Sequence, residues 1–247
     1  MSQNIYDNPE FFKKYMEFPR SQKGLDGAPE WSSLSALLPD PTGLKIVDLG
    51  CGLGWFARYA RQHGAASVEA VDISEMMIEE ARRRTDDRHI RYRVADLEVL
   101  ELPERQFDLA FSSLAFHYLR DFDRVARTIY QSLQAGSFFV FSIEHPIFMA
   151  PSCQDYSEMD GRIIWPLDNY LVEGKRNSLW LETPVTKYHR TLGTTLNSLV
   201  AAGFDICHVE EWRPDAAQLK AHPEWQVELN RPMYLLIKAR KPDQACA

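Results

Sequence analysis

Cysteine is scarce in this 247-residue chain: Cys51, Cys153, Cys207 and Cys246 stand far apart, and no two form a C-x-x-C pair. That spacing offers neither a zinc knuckle nor a disulfide framework, so no metal site is expected, and a reducing cytoplasm is the compartment that fits. The opening stretch MSQNIYDNPEFF lacks a basic region followed by an apolar run. No segment approaches the roughly 20 apolar residues that a membrane span needs, and no membrane partner is expected. A basic excess is missing too. With 28 Lys and Arg against 35 Asp and Glu, the formal net charge of -7 has the wrong sign for a nucleic-acid footprint. The one dense basic cluster, Arg82 to Arg84, follows Glu79 and Glu80 and reads as a solvated helix face. Internal repeats and low-complexity tracts are also absent.

The composition that remains, 45% hydrophobic and 26% charged, is that of a packed globular protein, and the length suits a single sizeable core over 1–247. From Lys45 onward short apolar runs alternate with stretches of helical period, which favours a parallel sheet with helices on both faces. KIVDLG, SVEAVD, IRYRVAD, FDLAFSS and SFFVFSI read as five strands. Between them, Trp55 to His63 places Phe56, Tyr59 and Ala60 on one helix face before Gly64, Ser74 caps a helix with Met77, Ile78 and Ala81 inward, and FDRVARTIYQSL is amphipathic. Asp108 reads as structural, at the start of its strand.

After Ile143 the rhythm breaks. Residues 144 to about 190 are rich in Pro, Trp, Tyr and Asp, and we read them as a lid of short strands and turns. The helical period then returns with Leu192, Leu196, Leu199 and Val200 on one face, closed by Gly203. FDICHVEEW and PMYLLIKAR are expected to pair as an antiparallel hairpin at the sheet edge, without a crossover helix of ordinary length between them. The expected architecture is an α/β, doubly wound sheet, mostly parallel with an antiparallel last strand. A helical N-terminal flap spans 1–44, a core 45–143, a lid insertion 144–190, and the rest of the core 191–247.

The stretch IVDLGCGLGWF puts Gly50, Gly52 and Gly54 at a strand-to-helix turn, where a backbone can approach a ligand closely. A dinucleotide fingerprint needs glycine or alanine at its sixth position, and here that position holds Trp55. An NAD(P)-dependent oxidoreductase is therefore disfavoured. VDLGCGLG instead resembles the D/E-x-G-x-G-x-G signature of class I methyltransferases, which share a Rossmann-like fold and use S-adenosyl-L-methionine. The resemblance covers Leu44 to about Ile143 well and the C-terminal elements more loosely. It implies that Asp48, Gly50, Cys51, Gly52 and Gly54 form the cofactor loop and that Asp72 in VEAVDIS holds the ribose hydroxyls. Asp96 in RVADLEVLEL would meet the adenine amino group, with Ile73, Met77, Leu97 and Ser112 as further cofactor neighbours. Structural alternatives stand beside these roles: Asp48 as a turn cap, Asp96 as an ordinary turn acid, Cys51 as a small loop residue.

The leading segment KKYMEFPRSQKGL resembles the helix that closes over the cofactor in small-molecule methyltransferases, which brings in Tyr15 and Arg20. Arg20 would pair with the cofactor carboxylate, or it is a surface arginine. Candidate bases sit at the carboxyl ends of the fourth and fifth strands, His117 in AFHYL and His145 in IEHPIF, with Glu144 and His189 behind them. Buried structural roles are the alternative for each. Tyr170, Trp165 and Trp180 suggest a partly aromatic pocket or a small core within the lid. No NPPY or DPPY string occurs, which the resemblance reads against base or glutamine methylation. The expected activity is methyl transfer (EC 2.1.1.-) to a small organic acceptor by a cytoplasmic monomer or homodimer, of a group like the ubiquinone and menaquinone biosynthesis methylases. The rival is a non-catalytic nucleotide-binding or regulatory protein of the same fold.

Overall fold

The apolar runs become strands of one mixed sheet in the computed structural model, which describes residues 3–243; Cys246 falls outside them. Three short helices come first: α1 (Pro9–Tyr15), α2 (Pro19–Lys23) and α3 (Trp31–Ala36). The chain then alternates through β1 (Lys45–Leu49), α4 (Trp55–Gln62), β2 (Ser67–Asp72), α5 (Glu75–Arg83) and β3 (Ile90–Val94). It continues through β4 (Phe107–Ser113), α6 (Phe122–Ser132), β5 (Leu133–Glu144) and the short α7 (Pro146–Met149). Two hairpins follow, β6 (Ser157–Met159) with β7 (Arg162–Ile164) and β8 (Gly174–Trp180) with β9 (Thr183–His189). The last elements are α8 (Leu192–Ala202), β10 (Asp205–Glu211), α9 (Ala216–Ala221) and β11 (Tyr234–Arg240).

The seven-stranded sheet has the order β10-β11-β5-β4-β1-β2-β3. Strands β1 to β5 pair in parallel, while β11 runs antiparallel to both neighbours, β5 and β10. The hairpin thus lies at the edge with β10 outermost. Both sheet faces are covered, which is why β1 and β4 read as near-continuous apolar runs. Along β1, Ile46 packs under α3, α4 and α5, while Val47 and Leu49 face the layer of α6 and α8. Helix starts follow the capping chemistry: Ser74 Oγ accepts from Met77 N, Asp121 from Arg124 N and Thr191 from Thr194 N.

Two details differ from the sequence expectation. The fifth strand begins at Leu133, ahead of SFFVFSI, because Gln106 N and Arg105 N pair with the chain just before it. In α8 the inward face centres on Thr195, Ser198 and Leu199, so Val200 lies at the rim of the stripe and is 57% exposed. No helix of the described residues is long and apolar enough to cross a membrane.

Candidate active site

A cavity of about 700 Å³ opens where β1, β2, β4 and β5 end, the carboxyl edge at which open parallel sheets bind ligands. One end of it is built from the glycine turn. Gly50 N and Cys51 N both donate to Val71 O, at 2.8 and 3.0 Å, which ties the loop to β2. Gly54 and Gly52 both have positive φ but serve different surroundings. A Cβ on Gly54 would lie 2.2 Å from the Tyr92 hydroxyl, so this glycine permits the close packing of β3; a Cβ on Gly52 would meet nothing within 4 Å, and Gly52 lines the cavity.

Asp72 closes β2 with its carboxylate between loop and helix: Oδ2 accepts from Gly52 N at 2.8 Å and Oδ1 from Ser74 N at 2.9 Å. Burial lifts its pKa above the ordinary value in spite of these two donors. Each oxygen retains a lone pair for a further donor, as vicinal hydroxyls would require. Asp96, after β3, and Ile73, Met77 and Leu97 line the same end. The N-terminal segment is fastened here. Asp7 accepts from Ser74 Oγ and from the Glu75 and Met76 backbone at the start of α5, and Asn4 Nδ2 donates to Ile73 O at 3.2 Å. Trp55, the residue that breaks the dinucleotide pattern, packs its ring where a Cβ on Gly24 would otherwise sit. Arg20 lines the cavity while donating to Glu30 Oε1 at 2.5 Å and Ser113 Oγ at 3.2 Å; burial works against its charge, but Glu30 outweighs it and holds the guanidinium protonated.

The other end is assembled from distant segments. Past β4, Leu114 adopts φ 54° while its N–H donates to Ser142 O at 2.9 Å, turning the chain into a 3-10 helix over Phe116–Tyr118. Arg190, just after β9, clamps that helix by donating to Leu119 O at 2.7 Å and Phe116 O at 2.6 Å. His117 is thereby held in the cavity wall, with Nδ1 accepting from Glu144 N at 3.3 Å. Burial pushes its pKa down to about 3, so the imidazole is neutral at physiological pH, and the engaged Nδ1 places the proton on Nε2. Glu144, the last residue of β5, accepts at Oε1 from Lys187 Nζ of β9 at 2.5 Å. Both side chains are largely buried, and Oε2 of Glu144 has no hydrogen-bond partner among the described residues. The wall continues with Tyr118, whose hydroxyl is 3.2 Å from that of Tyr6, and with Trp180. The Trp180 ring meets the edges or faces of Tyr6, Phe11, Tyr15 and Phe18 at centroid distances of 5.3–6.2 Å.

The structure therefore gathers Tyr15, Arg20, Gly50, Gly52, Asp72, Ile73, Met77, Asp96, Leu97 and His117 around one cavity. It places four of the expected cofactor residues behind the wall. Asp48 is buried under the loop, where burial pushes its pKa well up; Ser112 Oγ donates to Leu49 O at 2.7 Å and stitches β4 to β1; Gly54 faces Tyr92; and the Cys51 thiol points away, its pKa raised by burial. His145 is also outside the cavity. Adjacent residues at a strand end point to opposite sides, so with Glu144 in the cavity wall His145 turns away. Its Nδ1 accepts from Ile147 N at 3.0 Å as the cap of α7, and its Nε2 lies 2.9 Å from a Glu211 carboxylate oxygen. His189 donates to Tyr170 O at 2.8 Å, and Trp165 stacks in a cluster with Phe148 and Arg231, so these two support the lid.

Sequence reasoning missed Tyr6, Tyr118, Lys187 and Tyr234, all of which line the cavity. One signal was available for Lys187: Val185, Lys187 and His189 alternate as the buried face of β9, an inward parity at which a lysine needs a reason. Among the described residues no group of three or more His, Cys, Asp or Glu side chains is placed to hold a metal ion.

Comparison with known proteins agrees with this geometry. Residues 47–141 match the family model described as a methyltransferase domain. A solved S-adenosylmethionine-dependent methyltransferase from Mesorhizobium loti is 54% identical, with a TM-score of 0.85 over 88% of this chain and 100% of that one. An uncharacterised protein of Haemophilus influenzae is 34% identical over 98% of both chains. A malonyl-[acyl-carrier protein] O-methyltransferase from Enterobacter lignolyticus is 36% identical over 110 residues, only 44% of this chain and 43% of that protein. With its glycine loop, Asp72 and Asp96 at consecutive strand ends around one cavity, this chain belongs to the class I S-adenosylmethionine-dependent methyltransferases.

Proposed function

We propose that the chain transfers the methyl group of S-adenosyl-L-methionine to a small organic acceptor and releases S-adenosylhomocysteine, working in the cytoplasm. The observation that supports this most is a cavity that joins a nucleoside-fitting end to a separate wall of Tyr, Trp, His and a Glu–Lys pair, roofed by the N-terminal helices and the β8–β9 hairpin. A compact roofed cavity suits a small acceptor and excludes water from the transfer.

When bound, the cofactor supplies an activated methyl on a positively charged sulfur. Asp72 would take the ribose hydroxyls, Asp96 the adenine side, and Arg20, held in the cavity wall by Glu30 and Ser113, the amino-acid carboxylate. The remaining wall orients the acceptor for an in-line displacement, which is mainly a matter of alignment. Titration calorimetry tests the first half: S-adenosylhomocysteine should bind and NAD should not. Transfer of label from S-adenosylmethionine into an extract of small metabolites tests the second. Cofactor binding without transfer of label to any metabolite would leave a regulatory, non-catalytic protein as the better reading.

A further inference from the structure

We propose that Glu144 is the catalytic base for an acceptor hydroxyl, so that this chain makes methyl ethers rather than methyl esters or methylamines. This inference rests on the methyl-transfer reading above. It begins with the pairing of two charges from different parts of the molecule, Glu144 at the end of the core strand β5 and Lys187 in the lid strand β9. One Glu144 oxygen receives the Lys187 ammonium, while the other is buried with no donor among the described residues. A buried carboxylate oxygen without a donor is costly, and in an enzyme wall the missing donor is a natural place for a ligand.

The pair selects among nucleophiles by their hydrogen-bonding capacity. A carboxylate acceptor would set two acceptor-only oxygens against Glu144, and an ammonium would lie beside Lys187, cation against cation. A hydroxyl fits both neighbours, because it donates to Glu144 and accepts from Lys187. His117 does not compete for the proton, since Nδ1 already accepts from the Glu144 backbone and Nε2 carries the ring proton. Burial works toward a protonated Glu144, but the neighbouring His117 ring, the Lys187 ammonium and, least of the three, the Arg231 guanidinium outweigh it and keep the carboxyl below its ordinary pKa, ready as a carboxylate. Around the pair, Phe148, Trp180, Met233 and Tyr234 line an apolar and aromatic wall, which suits a phenol.

In the step, an oxygen lone pair of the hydroxyl forms the bond to the methyl carbon. The electron pair of the breaking carbon–sulfur bond stays on sulfur, which loses its positive charge. The hydroxyl proton, made strongly acidic as the new bond forms, passes to Glu144 and from there to water. A carboxylate is base enough for a proton released this late.

The test uses the full chain with labelled S-adenosylmethionine and three matched probes: a series from para-methoxyphenol to para-nitrophenol, phenylpropanoate and phenylethylamine. Label is expected in the phenols, in products that survive mild alkali and are not retained by a cation exchanger. Glu144→Gln should lower turnover of para-methoxyphenol roughly 100-fold but that of para-nitrophenol, about half ionised near neutral pH, by less than about five-fold, because a phenolate needs no base. S-adenosylhomocysteine should bind the variant within about two-fold of the parent, which also reports that it folds. Label entering phenylpropanoate or phenylethylamine instead of the phenols overturns the inference. So does an equal loss across the whole phenol series, or S-adenosylhomocysteine binding with no label entering any phenol. Failure of S-adenosylhomocysteine to bind the parent chain would instead strike the methyl-transfer reading itself.

Discussion

The two ends of the cavity are built in opposite ways. The proposed cofactor end comes from nearly contiguous chain, a glycine turn after β1, an acid ending β2 and another two positions past β3, locked by hydrogen bonds such as Gly52 N to Asp72 Oδ2. The acceptor end joins Tyr6, His117, Glu144, Trp180, Lys187 and Tyr234, residues that only the tertiary fold brings together. The first end depends on local backbone geometry, and the second on long-range side-chain packing and charge. Substitutions should therefore separate into those that break the turn, those that weaken ligand binding, and those that shift only the acid response or nothing.

The largest effect is expected at Gly54. A methyl there collides with the Tyr92 hydroxyl and the backbone is already left-handed, so Gly54→Ala should cost about 2–4 kcal/mol of stability and lower Tm by roughly 5–15 °C. Once folded, the variant should bind S-adenosylhomocysteine almost normally, because Gly54 faces away from the cavity. Loss of affinity without loss of Tm would erase the distinction between the packing and the lining glycines.

Asp72→Ala comes next. It removes the carboxylate that anchors Gly52 N and Ser74 N and would take the ribose hydroxyls, charge-assisted bonds worth about 1.5–3 kcal/mol. Calorimetry should find S-adenosylhomocysteine affinity reduced roughly ten-fold to a hundred-fold. An affinity within two-fold of the parent would remove Asp72 from the cofactor end.

A smaller, graded effect concerns the two histidines. Burial pushes the pKa of His117 down to about 3 and that of His145 down to about 4. Both are neutral in the folded state and have an ordinary pKa when unfolded, so the unfolded chain binds more protons as the pH falls below about 6.5. Stability is thus complete above that pH and declines as the medium is acidified toward their folded values. Replacing either histidine by glutamine should flatten the slope of unfolding free energy in this window by up to about 1.4 kcal/mol per pH unit. Urea melts at pH 6.5 and 4.5 measure it. Unchanged slopes would mean that the histidines are hydrated and outside the packing described.

The smallest effect belongs to Lys14 and Glu182, an exposed ion pair between the N-terminal helices and the lid hairpin. Lys14→Ala should change stability by less than about 0.5 kcal/mol, since the aromatic cluster around Trp180 joins the same two segments. A larger change by chemical denaturation would shift the weight of that junction from packing to charge.

This division also marks what could be read in advance. The parallel core, the capping residues and the acids at the ends of β2 and β3 were legible because each leaves a mark within about ten residues, as periodicity or as a turn. His145 misled for a local reason: its neighbour Glu144 holds the inward position, and one step along a strand reverses the direction of a side chain. Lys187 left only the alternation of a single strand, inside a segment whose tryptophans and prolines obscure any period. Tyr6 left no signal, because it reaches the cavity through a contact with Tyr118, 112 positions further along the chain.

The reversed strand β11 has a consequence for how this family member can vary. Because it runs opposite to β5, its beginning rather than its end arrives at the cavity, and Tyr234 stands directly across the ladder from Glu144. The connection that leads into it, residues 212–233, therefore delivers Tyr234 to a position fixed by sheet register and not by loop length. Insertions or deletions in its exposed stretch, ahead of Arg231 and Met233, leave the pairing of wall and base untouched, so that stretch is free to drift in length while the chemistry beside it stays in place.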